Sequence, residues 1–335
     1  MQGHGPVITT TEMHTGGEPV RIVESGYPPV PGTTILDKRR YAREHLDHLR
    51  TLLMHEPRGH FDMYGVIPVE PDLPEADLAV LFMHNEGYST MCGHATIALG
   101  RYAVDRGLVP AVEPRTEMVI QCPCGPVTVV VEVKDGKAGQ ARFTSVESFA
   151  PILQHKVVVK PYGTVTYDVG YGGAFYAVAD AAQFGLDVRS SPVGELVVAA
   201  NALSDAVRVG TVLSHPESSE LSELYGSILT DGHDGERVSA NVCVFADSQV
   251  DRSPTGSGVT ARMAIRHAHG QVSIGEERVF ESLVGSTMTG RVVASRVAGD
   301  LPAVVVEVGG RAYYTGSASF LVEPDDPFAI GFLVR

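Results

Sequence analysis

Apolar positions fall into two patterns along this chain. Short runs such as MVIQCP, PVTVVVEV, KVVVKPYGTVTYDVGY, FYAVAD, NVCVFAD, AVVVEVGG and FLVEPDD are β-branched and end at Gly, Pro or Asp, so they read as strands. Steps of three and four predict helices at about 36–56, 95–106, 180–184, 192–204 and 258–269. In the first of these, Leu46, Leu49 and Leu53 share a face opposite a charged one, which predicts a helix packed outside a sheet. Many strands with few long helices point to an α+β chain. No G-x-G-x-x-G follows a strand to open a helix, so a dinucleotide-binding sheet is not expected.

Two of the predicted helices begin alike. MCGHAT at 91–96 and SPTGSG at 253–258 are each followed by an alanine-bearing helical run, and Gly107 and Gly270 stand 15 residues after Cys92 and Thr255. Each copy reads as a turn, a helix and a glycine stop. The spacing from Cys92 to Thr255 is about half the chain, which predicts two homologous lobes.

A helix start is suited to anions. Its first amides have no intrahelical partners and the macrodipole is positive there, so a carboxylate or a thiolate is stabilised. Gly93 and Gly256, beside Cys92 and Thr255, let a ligand approach the backbone. The thiol of Cys92 can become a base, and His94 can tune it or orient a substrate. The hydroxyl of Thr255 cannot be a base near neutral pH. The plainer readings are a small buried cysteine, a helix-capping histidine and a threonine in a degenerate copy.

HNEGYSTMCGHATIALGR at 84–101 with ADSQVDRSPTGSGVTAR at 246–262 resembles the proline racemase family, and the Cys/Thr combination is similar to its trans-3-hydroxy-L-proline dehydratase branch. EMHTGGEPVRIV at 12–23, VGYGGAFYAV at 169–178 and SILTDG at 227–232 extend the likeness over most of the chain. The resemblance implies two pseudo-symmetric lobes of the diaminopimelate epimerase type, each a curled sheet around a central helix, with the active site in the cleft between them. It places the first lobe at 1–155, rejoined by 310–335, and the second at 156–309. It implies that the amides of Gly93, His94, Gly256 and Ser257 hold the substrate carboxylate and that Asp251 holds the ring nitrogen. For Asp251 a simple turn role before Arg252 is the alternative. The family's racemases set a thiol on each face of the α-carbon. With Thr255 in one place, a single base remains, and the expected reaction is dehydration of trans-3-hydroxy-L-proline to Δ1-pyrroline-2-carboxylate, without a cofactor or a metal. Slow racemisation or epimerisation of proline or 4-hydroxyproline, and a non-catalytic imino-acid-binding protein, are the alternatives.

Composition narrows the partners. The 335 residues are 44% hydrophobic and carry a net charge of −14, which suits two domains with real cores and argues against nucleic acid or an anionic membrane surface. No apolar run approaches a membrane span and MQGHGPVITT does not read as a signal peptide, so a cytosolic enzyme is expected, with a homodimer as the common oligomer. Cys122 and Cys124 form a Cys-x-Cys pair with no second pair, and Cys243 alternates with apolar neighbours; all three read as structural. The two-glycine loop at His14–Gly17 and the acidic TDGHDGE segment read first as turns, and His267 and His269 as dipole-facing residues at a helix end.

Overall fold

The computed structural model describes residues 7–233 and 238–334, so the TDGHDGE segment lies partly outside the described residues. The chain divides into two compact units, Met1–Ala141 with Arg311–Arg335, and Arg142–Gly310.

The first unit opens with β1 (Ile8–Thr15) and β2 (Glu18–Ser25), an antiparallel hairpin. Its two loop residues, Gly16 and Gly17, have φ of 61° and 89°, the double positive φ that a two-residue hairpin turn needs. Two helices follow, α1 (Ile35–His45) and α2 (Asp47–Met54), where one helix was expected over 36–56. Thr34 and Asp37 form a capping box at the start of α1, and Leu46 leaves helical geometry at φ −119°, ψ 9°. The break lets α2 bury Leu49, Leu52, Leu53 and Met54 while Arg50 donates to the His84 carbonyl at 2.9 Å. Next come β3 (Tyr64–Val69), β4 (Leu78–His84), α3 (Gly93–Asp105), β5 (Arg115–Cys122), β6 (Gly125–Lys134) and β7 (Lys137–Thr144). Helix α3 packs against β1, β2, β5 and β6 and is buried nearly all round. Small residues make this close approach practicable: a Cβ on Gly100 would meet the Val129 side chain at 2.6 Å.

The second unit repeats the plan with β8 (Ser148–Val159), β9 (Gly163–Tyr171), β10 (Phe175–Asp180), α4 (Val193–Gly210), β11 (Leu224–Thr230), β12 (Val238–Phe245), β13 (Gln249–Asp251), α5 (Gly256–Ala268), β14 (Glu277–Ser282), β15 (Thr287–Ala298) and β16 (Leu301–Gly310). Helix α5 is its buried axis, packed on β8, β9, β10, β15 and β16. Residues 142–155, expected in the first lobe, belong here instead. The reason is pairing: β8 is antiparallel to both β9 and β16, so its partners hold it in this unit. The chain then re-enters the first unit as β17 (Ala312–Phe320), antiparallel to β1. The whole is a sheet-rich α+β fold with few helices.

Candidate active site

In the first unit Cys92 is the N-cap of α3. Its sulfur accepts from the Ala95 amide at 3.4 Å and its carbonyl from the Thr96 hydroxyl at 2.7 Å. Cys92 is 4% exposed and His94 is 3% exposed. The His94 Nδ1 lies 3.1 Å from the Cys92 sulfur, and its Nε2 lies 3.2 Å from the Pro19 carbonyl. The Tyr64 ring stands edge-on to His94 at 4.9 Å, and the Tyr64 hydroxyl bonds to Ser89. Thr15 reaches over from the hairpin and donates to the His94 carbonyl at 2.8 Å. The two-glycine loop is a turn, as expected, but it also abuts the Cys92 turn. His14, Gly17 and Pro19 line a recess of about 530 Å³ together with Arg21 and His60.

Cys122 ends β5 behind this turn, and the Cys124 amide donates to the Thr90 carbonyl at 3.0 Å. Burial pushes the Cys122 thiol well above the ordinary thiol range, with the neighbouring Cys124 and Cys92 adding to it. Cys122 is therefore a neutral packing residue. All four cysteines are free thiols.

In the second unit Asp251, Thr255, Gly256 and Ser257 come together. Asp251 is buried and accepts from the Ser253 amide at 2.7 Å, and Ser253 in turn accepts from the Thr255 amide at 3.1 Å. Asn241, held by Arg262 at 2.7 Å, donates to the Pro254 carbonyl at 3.3 Å and braces the turn. The Ser257 hydroxyl is 2.7 Å from that of Tyr176, whose phenol burial keeps protonated far above its usual range. Gly172 lets β9's end lie on α5: a Cβ there would stand 2.6 Å from the Ala261 nitrogen and closer still to the Ser257 carbonyl.

The two turns differ where their key residues differ. Cys92 has φ −147° and caps its helix, whereas Thr255 has φ 67°, an unusual conformation for a β-branched residue, and makes no side-chain cap. Among the described residues the Thr255 hydroxyl has no hydrogen-bond partner, although Thr255 is only 5% exposed. A threonine at an N-cap ordinarily gains about 0.5–2 kcal/mol by capping. Here that gain is forgone and the backbone is strained, a combination found at sites shaped for function.

The other candidates are accounted for. Asp231 is held by Arg189 at 2.6 Å, by Ser239 at 2.9 Å and by the Ala240 amide at 2.8 Å, which explains it as a turn anchor. Among the described residues no group of three or more His, Cys, Asp or Glu is placed to hold a metal ion. His269 pairs with Asp168 at 2.9 Å, and His267 meets the Val272 carbonyl at 3.0 Å. No helix among the described residues is long and apolar enough to cross a membrane.

A buried helix in each unit, opened in one by a cysteine and in the other by a threonine, is a feature of one class of α+β protein. The chain belongs to the proline racemase family, whose pattern matches residues 10–333. It is 52% identical to trans-3-hydroxy-L-proline dehydratase of Homo sapiens, over 98% of this chain and 95% of that one. It is 45% identical to 3-hydroxyproline 2-epimerase of Burkholderia multivorans, over 98% of each chain. Its fold matches the crystal structure of a hydroxyproline epimerase from Agrobacterium vitis with bound trans-4-hydroxy-L-proline, with a TM-score of 0.94, 24% identity and coverage of 100% of this chain and 96% of that one. A probable proline racemase from Agrobacterium radiobacter matches with a TM-score of 0.92 at 27% identity, covering 98% of this chain and 96% of that one.

Proposed function

We propose that this chain is a trans-3-hydroxy-L-proline dehydratase in which Cys92 is the only base. The observation that carries the reading is the asymmetry of the two turns: a thiol beside an imidazole in one, and a lone buried hydroxyl in the other. Relatives about half identical over nearly the whole chain bear that name, which supports the substrate.

The reaction follows from the geometry of the substrate. In trans-3-hydroxy-L-proline the α-hydrogen and the 3-hydroxyl lie on the same face of the ring. Cys92 takes the α-proton: the C–H bond breaks and an S–H bond forms. The electron pair makes the C2–C3 double bond as the C3–O bond breaks, and the thiol proton goes to the departing hydroxide as water. The enamine tautomerises to Δ1-pyrroline-2-carboxylate, and Cys92 is again a thiolate. A 4-hydroxyl is not β to the α-carbon and cannot leave this way.

The first-turn amides at Gly93 and His94 and at Gly256 and Ser257 stabilise charge spreading into the carboxylate. Asp251 holds the ring nitrogen, and Thr255 meets the substrate as a hydrogen-bond donor. A working free thiol suits a reducing compartment, so we place the enzyme in the cytoplasm, as a homodimer whose mass in solution checks the assignment.

An epimerase is the second reading, favoured by the Burkholderia relative. Incubation with trans-3-hydroxy-L-proline, its cis isomer, trans-4-hydroxy-L-proline and L-proline, with an aminobenzaldehyde reagent for the cyclic imine, separates the two. Imine from the first compound alone is expected, and its loss in Cys92→Ser. Epimerised substrate without imine would establish the second reading.

A further inference from the structure

We infer that Tyr176 is a positioning residue: its phenol donates to the Ser257 hydroxyl and so frees the Ser257 proton as a donor to a substrate carboxylate at the start of α5. This rests on the reading of that helix start as a carboxylate site. It adds a side-chain donor to the amides assigned there and a residue, Tyr176, that aims it.

Tyr176 and Ser257 bring one hydroxyl proton each, and the 2.7 Å bond between their oxygens uses only one of the two. Both residues are buried, at 0% and 2% exposure, and among the described residues neither hydroxyl has a second partner. One O–H is therefore left in the interior without an acceptor, a standing cost that a bound acceptor removes. Acidity decides which. A phenol ionises near pH 10 and an aliphatic hydroxyl far higher, so the phenol is the better donor and the serine oxygen the better acceptor. The spare proton is thus on Ser257, and an O–H that accepts a hydrogen bond becomes a stronger donor in turn. The Tyr176 ring is held edge-on to Tyr225 at 5.8 Å, and Tyr225 is stacked on Phe245 at 5.3 Å.

Ser257 is the second residue of α5, and helical side chains lean toward the N-terminus, so its hydroxyl belongs to the amide end of the helix. The first amides there have no intrahelical acceptor, and Thr255 makes no side-chain cap over them. The Thr255 hydroxyl, buried and without a partner among the described residues, is a further donor in the same turn. Asp251 accepts from the Ser253 amide and from neither hydroxyl of the pair. Spare donors of this kind fit a carboxylate, whose two oxygens offer about four lone-pair sites and make the stronger, charge-assisted bonds.

The test is isothermal titration calorimetry of the full chain with L-proline and with L-prolinamide, which lacks the carboxylate charge, in native protein, Tyr176→Phe, Ser257→Ala and the double variant. Ser257→Ala should bind L-proline about tenfold or more weakly, as expected for one hydrogen bond to a charged group. Tyr176→Phe keeps the ring and its packing; it should lose about two- to tenfold, and nothing further in the Ser257→Ala chain. Both variants should lose less for L-prolinamide. Ser257→Cys, near in volume but a weak donor, replaces the alanine variant should that one not fold. Full L-proline affinity in Ser257→Ala overturns the inference. So does a Tyr176→Phe effect that is equal for both ligands, or equal with and without the Ser257 hydroxyl, because a packing role alone gives that result. Imine formation is scored separately: a native chain that makes none from trans-3-hydroxy-L-proline yet shows the coupling refutes the dehydratase reading and leaves Tyr176 in its role.

Discussion

Replacing Thr255 by valine keeps the shape and the β-branch and removes only the hydroxyl. The hydroxyl is buried and unpartnered among the described residues, so it carries a desolvation penalty of about 1–3 kcal/mol in the resting protein. A methyl in its place adds about 0.8 kcal/mol of burial, while the strain at φ 67° remains because valine is also β-branched. Thr255→Val is therefore expected to be more stable by about 1–3 kcal/mol. For a unit of this size that raises the melting temperature by at least about 2 °C. The same change leaves the substrate group that Thr255 would meet without its donor, at about 1–3 kcal/mol, which is about a 5- to 150-fold loss of turnover. Differential scanning calorimetry and the imine assay on one preparation read both effects. A lower melting temperature would mean that the hydroxyl has a partner in the folded protein, and full turnover would mean that it does not touch substrate. Either result refutes the reasoning.

Gly172→Ala places a Cβ against the backbone of α5 at Ser257 and Ala261, which cannot yield as a side chain can; a loss of about 1–3 kcal/mol in urea unfolding and a weaker KM are expected, and an unchanged midpoint would contradict the close approach. Asp231 is pushed up by burial but pulled further down by the Ala240 amide, Arg189, the His233 amide and Ser239, so its carboxyl lies below the ordinary value. A depressed pKa contributes stability above the unfolded value, near 3.9, that is lost as the pH falls through the folded one. Asp231→Asn should cost about 1 kcal/mol at pH 7, discounted because Arg189 is nearly half exposed, and the difference from the native chain should shrink at pH 3.5; equal differences at both pH values would rule this out.

Local features of the chain were legible without a structure. The starts of α3 and α5, the glycines after them and most strands follow from short-range signals, namely capping geometry, apolar period and turn residues. The break at Leu46 was not, because 36–56 carries one continuous helical pattern, and the inward turn of Arg50 depends on carbonyls at His84 and Asn85. That residues 142–155 group with the second unit is not local either: the pairing of β8 with β16 lies about 150 residues away. Tyr64 and Tyr176 carried no signal at all, since nothing near them in sequence marks their contacts with His94 and Ser257.

By itself, the order of residues determined that one turn bears a thiol and its twin a hydroxyl, and with that which of the two can be a base. Tertiary structure decided how each is held. His94 reaches a carbonyl 75 residues away in the chain, which fixes where its ring lies beside Cys92, and the backbone at Thr255 takes a positive φ with its hydroxyl unpartnered among the described residues. Ring positions and strained dihedrals depend on long-range partners, so no local pattern can encode them.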